Sequence, residues 1–258
     1  MERLCEKMKL CGGGVISLVG AGGKTTIMFR LANEFAQHGE SVMTTTTTKI
    51  FMPSKDQSSK IIISSSAVNV VEQSKKYLEK YRHLTASRGY LPSHDKLTGF
   101  DSEDIEDIWR SDVFKWIIVE ADGAARKPLK APAHHEPVIP VCSKWVIAVV
   151  GMDAVGKPLL DKWVFRPEIY SGITGLSLGE TVKEESIARA LTHENGIMKG
   201  CPSHAVRVVF LNKADAPDLR AYGRNIVNIL SEMTVKTPDR VIIGSAGLEY
   251  SNLECYDL

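Results

Sequence analysis

Short apolar runs rich in valine and isoleucine alternate along the chain with longer segments whose apolar residues recur every three or four positions. The short runs fall at 14–19, 41–46, 60–64, 116–120, 145–150, 205–211 and 240–244. Near-continuous apolar runs suit strands buried on both faces, the habit of parallel sheets. The longer segments cover 24–38, 67–80, 102–110, 179–192 and 217–232. Ile27, Leu31 and Phe35 mark one face of the first of these, and Tyr222, Ile226 and Leu230 one face of the last. This alternation predicts an α/β fold: a mostly parallel open sheet with helices on both faces.

Two stretches break the rhythm. Residues 82–100 mix polarities with Gly and Pro and read as a small excursion or hairpin. Residues 123–144 hold four prolines, and a loop this long inside a compact domain is more often functional than idle. The 258 residues suffice for one large domain with a full core, and 1–258 is read as a single domain.

Charge narrows the partners. The 32 Lys+Arg balance 31 Asp+Glu, so no global field draws the chain to nucleic acid or an anionic membrane, and any anion site is local. The longest apolar run, WVIAVVGM at 145–152, is too short to cross a bilayer. A cytoplasmic protein is expected. The five cysteines are scattered and lack a C-x-x-C, which fits reduced thiols rather than a disulfide framework or a zinc site.

The chemistry concentrates where apolar runs end. Gly20-Ala21-Gly22-Gly23-Lys24-Thr25-Thr26 follows the first strand and opens a helix, the order a phosphate-binding loop (P-loop) requires. Glycines let consecutive N–H groups turn toward phosphate oxygens, and the helix start adds partial positive charge. Lys24 neutralises phosphate oxygens and the Thr25 hydroxyl takes a Mg²⁺ position. Lys24, facing ligand and not core, is expected to contribute little to stability. One departure is that Leu18 stands where the full pattern has its first glycine.

Glu120 and Asp122, in VEADG at 119–123, project to the same side of an extended chain and can share the metal and catalytic duty with Lys24 and Thr25. Asn212, Lys213 and Asp215 form an N-K-x-D arrangement at the end of an apolar strand. Asp215 can accept hydrogen bonds from two donors of guanine, with the Lys213 stem on the purine face and a backbone N–H at Ser245-Ala246 against the guanine oxygen. The same residues also suit a helix-capping turn with no base preference. GTP is thus favoured over ATP as the nucleotide.

Residues 44–50 (TTTTTKI) end the second strand, where the ligand crevice of an open α/β sheet lies. Thr46, Thr47 or Thr48 with Lys49 can sense a γ-phosphate there, although threonine is also simply a good strand former. Arg126, Lys127, Lys130, His134 and His135 concentrate cations in the proline-stiffened segment 123–140, which suits an anionic substrate or cofactor beside the γ-phosphate. The same loop can equally be a solvated basic surface, and the adjacent histidines with Glu136 would make a poor metal chelate.

Together VGAGGKTT, TTTTTKIF, VEADGAARKPLKAPAHHEPVIP and FLNKAD, in this order, resemble the YqeC-like family of selenium-dependent hydroxylase accessory proteins, from about residue 12 to 247. The resemblance implies a P-loop NTPase fold and an accessory role in maturing selenium-dependent molybdenum hydroxylases, with the hydroxylase apoenzyme or its cofactor as partner. The loop also resembles those of metallocentre-assembly GTPases, with Val19 where they carry an extra lysine. Two other classes share its features: ATP-dependent Mur-type ligases, against which NKAD and the chain length argue, and a non-hydrolysing nucleotide-sensing module.

Overall fold

The computed structural model describes residues 3–247 and 252–258. In chain order it begins with α1 (Leu4–Lys7), β1 (Gly14–Gly20), α2 (Lys24–Gln37), β2 (Val42–Thr46), β3 (Lys49–Phe51) and β4 (Ile61–Ile63). Next come α3 (Ala67–Tyr77), β5 (His83–Ser87), β6 (Gly89–Leu91), β7 (Lys96–Thr98), α4 (Ser102–Arg110) and β8 (Trp116–Glu120). They are followed by β9 (Leu129–Lys130), β10 (Ser143–Gly151), β11 (Val164–Phe165), α5 (Pro167–Thr174) and α6 (Glu184–Thr192). The chain closes with β12 (Val206–Asn212), α7 (Pro217–Glu232), β13 (Arg240–Ile243) and β14 (Glu254–Asp257).

Nine strands form one sheet in the order β14-β13-β12-β10-β1-β8-β2-β5-β4. All neighbours pair in parallel except β13 and β14. Side chains alternate faces along each central strand, and both faces are buried. Ile16 and Leu18 of β1 join Ile118, Ile147 and Phe210 under α1 and α2, contributing Leu4, Ile27, Leu31 and Phe35. On the opposite face, Val146, Ala148, Val150, Val209 and Leu211 pack against Tyr170 of α5, Ile187 of α6 and Ile226 and Leu230 of α7. The rest of that face, with Val15, Met43, Leu84, Ile117 and Val119, receives Val70 of α3 and Ile105 and Ile108 of α4.

Three expectations are corrected. Residues 82–100 are not wholly an excursion: β5 inserts into the main sheet between β2 and β4. Its sequence HLTAS hides the strand, because Leu84 is its one large apolar residue and the buried threonine hydroxyls are satisfied by side chains. Only β6 and β7 are a hairpin, and they join β3 in a separate three-stranded antiparallel sheet. The helix expected over 179–192 starts at Glu184, since Leu159 and Val182 hydrogen-bond with residues 180 and 157 in a preceding extended turn. The 123–144 segment contains the two-residue strand β9, paired with β11.

A P-loop candidate site

The parallel strands place their carboxyl ends together. β1 lies between β8 and β10, so the glycine loop leaving β1 sits beside the acidic end of β8 on one side and the end of β10 on the other. Gly20, Gly22 and Gly23 all have positive φ, at 89°, 86° and 128°. Shape demands glycine as well: a Cβ on Gly22 would stand 2.3 Å from the Gly151 nitrogen, and one on Gly23 would stand 2.2 Å from Asn212 Nδ2. The loop is therefore pressed onto the end of β10 and cannot carry side chains there.

Glu120 and Asp122 do point the same way, toward the loop. Lys24 Nζ donates to the Gly20 carbonyl at 2.6 Å and lies 3.0 Å from Asp122 Oδ1 and 3.8 Å from Glu120 Oε1. The Thr25 hydroxyl donates to Glu120 Oε2 at 2.8 Å, and the Gly20 N–H donates to Asp122 Oδ2 at 3.1 Å. Asp122 Oδ1 has no hydrogen-bond partner beyond the ion contact with Lys24. All three charged groups are buried. Burial opposes the charge on Lys24, yet Asp122 and Glu120 outweigh it and raise its pKa. Glu120 is pushed up by its burial, against the pull of Lys24 and Thr25.

The charges continue inward. Lys130, completely buried, lies 3.0 Å from Asp122 Oδ2 and donates to the Gly123 carbonyl and to Glu136 at 2.6 and 2.7 Å. Arg166 in turn grips both oxygens of Glu136, at 2.6 and 3.2 Å. Burial works against Glu136, but Arg166 and Lys130 hold its carboxyl down at about 2. Lys24, Asp122, Lys130, Glu136 and Arg166 thus alternate in sign from the glycine loop to the start of α5.

At the other end of the loop, Asn212 Nδ2 donates to the Gly22 carbonyl at 2.7 Å while its Oδ1 accepts from the Ala246 N–H at 2.8 Å. Asn212 is consequently a brace between loops, and the Ala246 N–H expected to face a base is engaged by it. Lys213, at φ 61°, pairs with Asp153 at 2.7 Å. Asp215 is exposed, and Ser245 is buried with its carbonyl 3.3 Å from Arg30.

A cleft of about 600 Å³ opens over these elements. Residues 22–26, Glu120 and Lys213 form part of its lining, together with residues 49–51 and Lys96 of the small sheet and Gly123 to Lys127. The expected cation cluster is therefore split. Lys49, Arg126 and Lys127 line the cleft, whereas Lys130 is enclosed in ion pairs and His134 and His135 lie exposed outside it. The threonines are committed elsewhere: Thr46 donates to the Glu120 carbonyl and Thr47 to the Val138 carbonyl, both bracing backbone. Sequence reasoning missed Phe51, Lys96 and Arg166. Exposed Phe51 in KIF, next to a buried Ile50, was a readable signal; the pairing of Phe51 with Lys96 across strands was not.

The residues fit a Mg²⁺–nucleotide group. Among those described, no cluster of three or more His, Cys, Asp or Glu could by itself enclose a metal. A hydroxyl and two carboxylates beside a phosphate cradle match an ion that takes part of its coordination from phosphate and water. Nor is any described helix long and apolar enough to cross a membrane.

A parallel α/β sheet with a glycine loop, lysine and threonine facing an acidic neighbouring strand defines a P-loop protein. The family model for YqeC protein matches residues 16–168. The uncharacterized protein YqeC of Escherichia coli (strain K12) is 34% identical over 204 residues, covering 77% of this chain and 75% of that one. The chain belongs to the YqeC family. Among solved structures, the 54 kDa signal recognition particle protein from Aeropyrum pernix K1, in complex with GDP, superposes at TM-score 0.38 with 14% identity. FtsY from Mycoplasma mycoides superposes at 0.38 with 11% identity. These matches cover 96% and 95% of this chain but only 44% and 63% of those proteins.

Proposed function

We propose that this chain is a Mg²⁺-dependent nucleoside triphosphatase that prefers GTP to ATP and serves as an accessory factor for selenium-dependent molybdenum hydroxylases. The observation that carries the nucleotide reading is the meeting of Lys24 and Thr25 with Glu120 and Asp122 at adjacent strand ends, under an open cleft. Lys24 holds the Gly20 carbonyl and Asp122 as surrogate acceptors, and phosphate oxygens replace them on binding. Thr25, Glu120 and Asp122 would hold the metal, which supplies charge neutralisation at the phosphates. Glu120, which lines the cleft, would orient the attacking water through the metal's water shell. The guanine preference is supported by Asn212, Lys213 and exposed Asp215 in their strand-end setting. The hydroxylase role is supported by family resemblance alone.

The test is displacement of a fluorescent nucleotide by GTP and ATP, followed by phosphate release with and without a hydroxylase apoenzyme. Tight GTP binding with slow release that the apoenzyme accelerates is expected. Absence of triphosphate binding would refute the nucleotide reading, and indifference to the apoenzyme would refute the accessory role.

A further inference from the structure

The wall of the cleft contributed by the small sheet carries positive charge of its own, apart from the glycine loop. β3 and β7 pair antiparallel with Phe51 opposite Lys96, leaving Lys49 and Phe51 exposed on one side of β3 and Ile50 buried on the other. Phe51 is 46% exposed. The Lys96 ammonium stands 4.8 Å from its ring centroid and the Arg126 guanidinium 4.4 Å. Ala125 and Arg126 are both left-handed, at φ 46° and 60°, a costly backbone for two consecutive residues with side chains. That conformation brings Arg126 to Phe51 immediately after the acidic strand.

The cations of the cleft differ in their partners. Lys24 is matched by Asp122 and Glu120, Lys127 by Asp161 at 3.3 Å, and Lys213 by Asp153. Lys49, Lys96 and Arg126 have no carboxylate within ion-pair distance among the described residues. Two unmatched cations on one exposed ring, with Lys49 on the same side of β3, create a local positive field in a chain whose overall charge is nearly neutral. The nucleotide's own phosphates are already provided for by the glycine loop, the start of α2 and Lys24.

We propose that Lys96 and Arg126, packed on Phe51, and Lys49, on the same side of β3, form a second anion site that takes the phosphate group of another small molecule across the cleft from the P-loop. The proposal rests on the nucleotide reading above and makes the protein a two-ligand device. A phosphate suits the site better than a carboxylate because its three terminal oxygens can be shared among one guanidinium fork and two ammonium groups.

The experiment is calorimetric titration of inorganic pyrophosphate into the full chain saturated with Mg²⁺ and a non-hydrolysable GTP analogue. One additional site is expected. Arg126→Ala should weaken it at least tenfold and Lys49→Ala with Lys96→Ala at least as much, each by several times more than it weakens the nucleotide. Pyrophosphate that binds only by displacing the nucleotide, or equally well to the triple variant, overturns the proposal. Oxalate binding as tightly as pyrophosphate overturns the phosphate assignment. A parallel titration of the Lys24→Met chain separates the two readings. Failure of the analogue to bind wild type sinks the nucleotide reading, whereas loss of pyrophosphate binding in Lys24→Met sinks the second site.

Discussion

Replacing Lys24 by methionine keeps the length of the side chain and removes its charge, which isolates what that charge does in the absence of ligand. Lys24 contacts both buried carboxylates, 3.0 Å from Asp122 and 3.8 Å from Glu120. Removing one partner of a buried pair typically costs about 3–5 kcal/mol, because a desolvated charge is left behind. Two features reduce that figure here. Asp122 keeps Lys130 and the Gly20 N–H, and Glu120, already raised in pKa, can take up a proton while remaining bonded to Thr25. The expected loss is about 2–3 kcal/mol, or roughly 5–10 °C in Tm for a chain of this size. Urea denaturation of nucleotide-free protein measures it, and the double variant with Asp122→Asn should recover at least about 1 kcal/mol relative to additivity. A Lys24→Met protein within about 0.5 kcal/mol of wild type would refute the argument, since that is the range of an ordinary surface change.

Glu120→Gln should preserve nucleotide binding and slow phosphate release about a hundredfold; an unchanged rate would remove Glu120 from the chemistry. Asp215→Asn should lose GTP and gain relative preference for XTP in competitive displacement, while wild type prefers GTP over ATP by well over about tenfold; equal displacement throughout would reduce NKAD to a capping turn. His83, beneath α2 and bonded to Thr44, is lowered by burial to about 4, so the unfolded chain takes up a proton between about pH 6.5 and 4 that the folded chain refuses. Wild type should therefore lose about 2 kcal/mol between pH 7 and pH 5 through this group, and His83→Phe should flatten that part of the stability profile; an identical slope in both proteins would contradict it.

The sheet was legible because its central strands are buried on both faces and thus spell themselves out as uninterrupted Val and Ile runs. β5 was not, since its buried faces are filled by Thr85, Ala86 and Ser87; the Thr85 hydroxyl pairs with Thr44 of β2, far away in sequence, and Ser87 donates to the Gly89 carbonyl as it would in a turn. The glycine loop and its two acids were readable from spacing, and their convergence follows from adjacent parallel strands. Their burial was not readable: spacing turns the lysine toward ligand, whereas the structure also encloses it between carboxylates, where it contributes to stability. In the same way the cationic segment 123–140 looked uniform along the chain. Folding sorts it, sending Lys130 inward to Glu136 and leaving Arg126 at the cleft, by contacts with residues 122 and 166 that no local pattern encodes.

The single amide of Asn212 acts as a calliper. By holding the Gly22 carbonyl with one atom and the Ala246 N–H with the other, it fixes the span between the cradle for phosphates and the strand end beside the expected base pocket. Moving either loop alone would leave one atom of this buried amide unpaired, so the two loops are held as one unit.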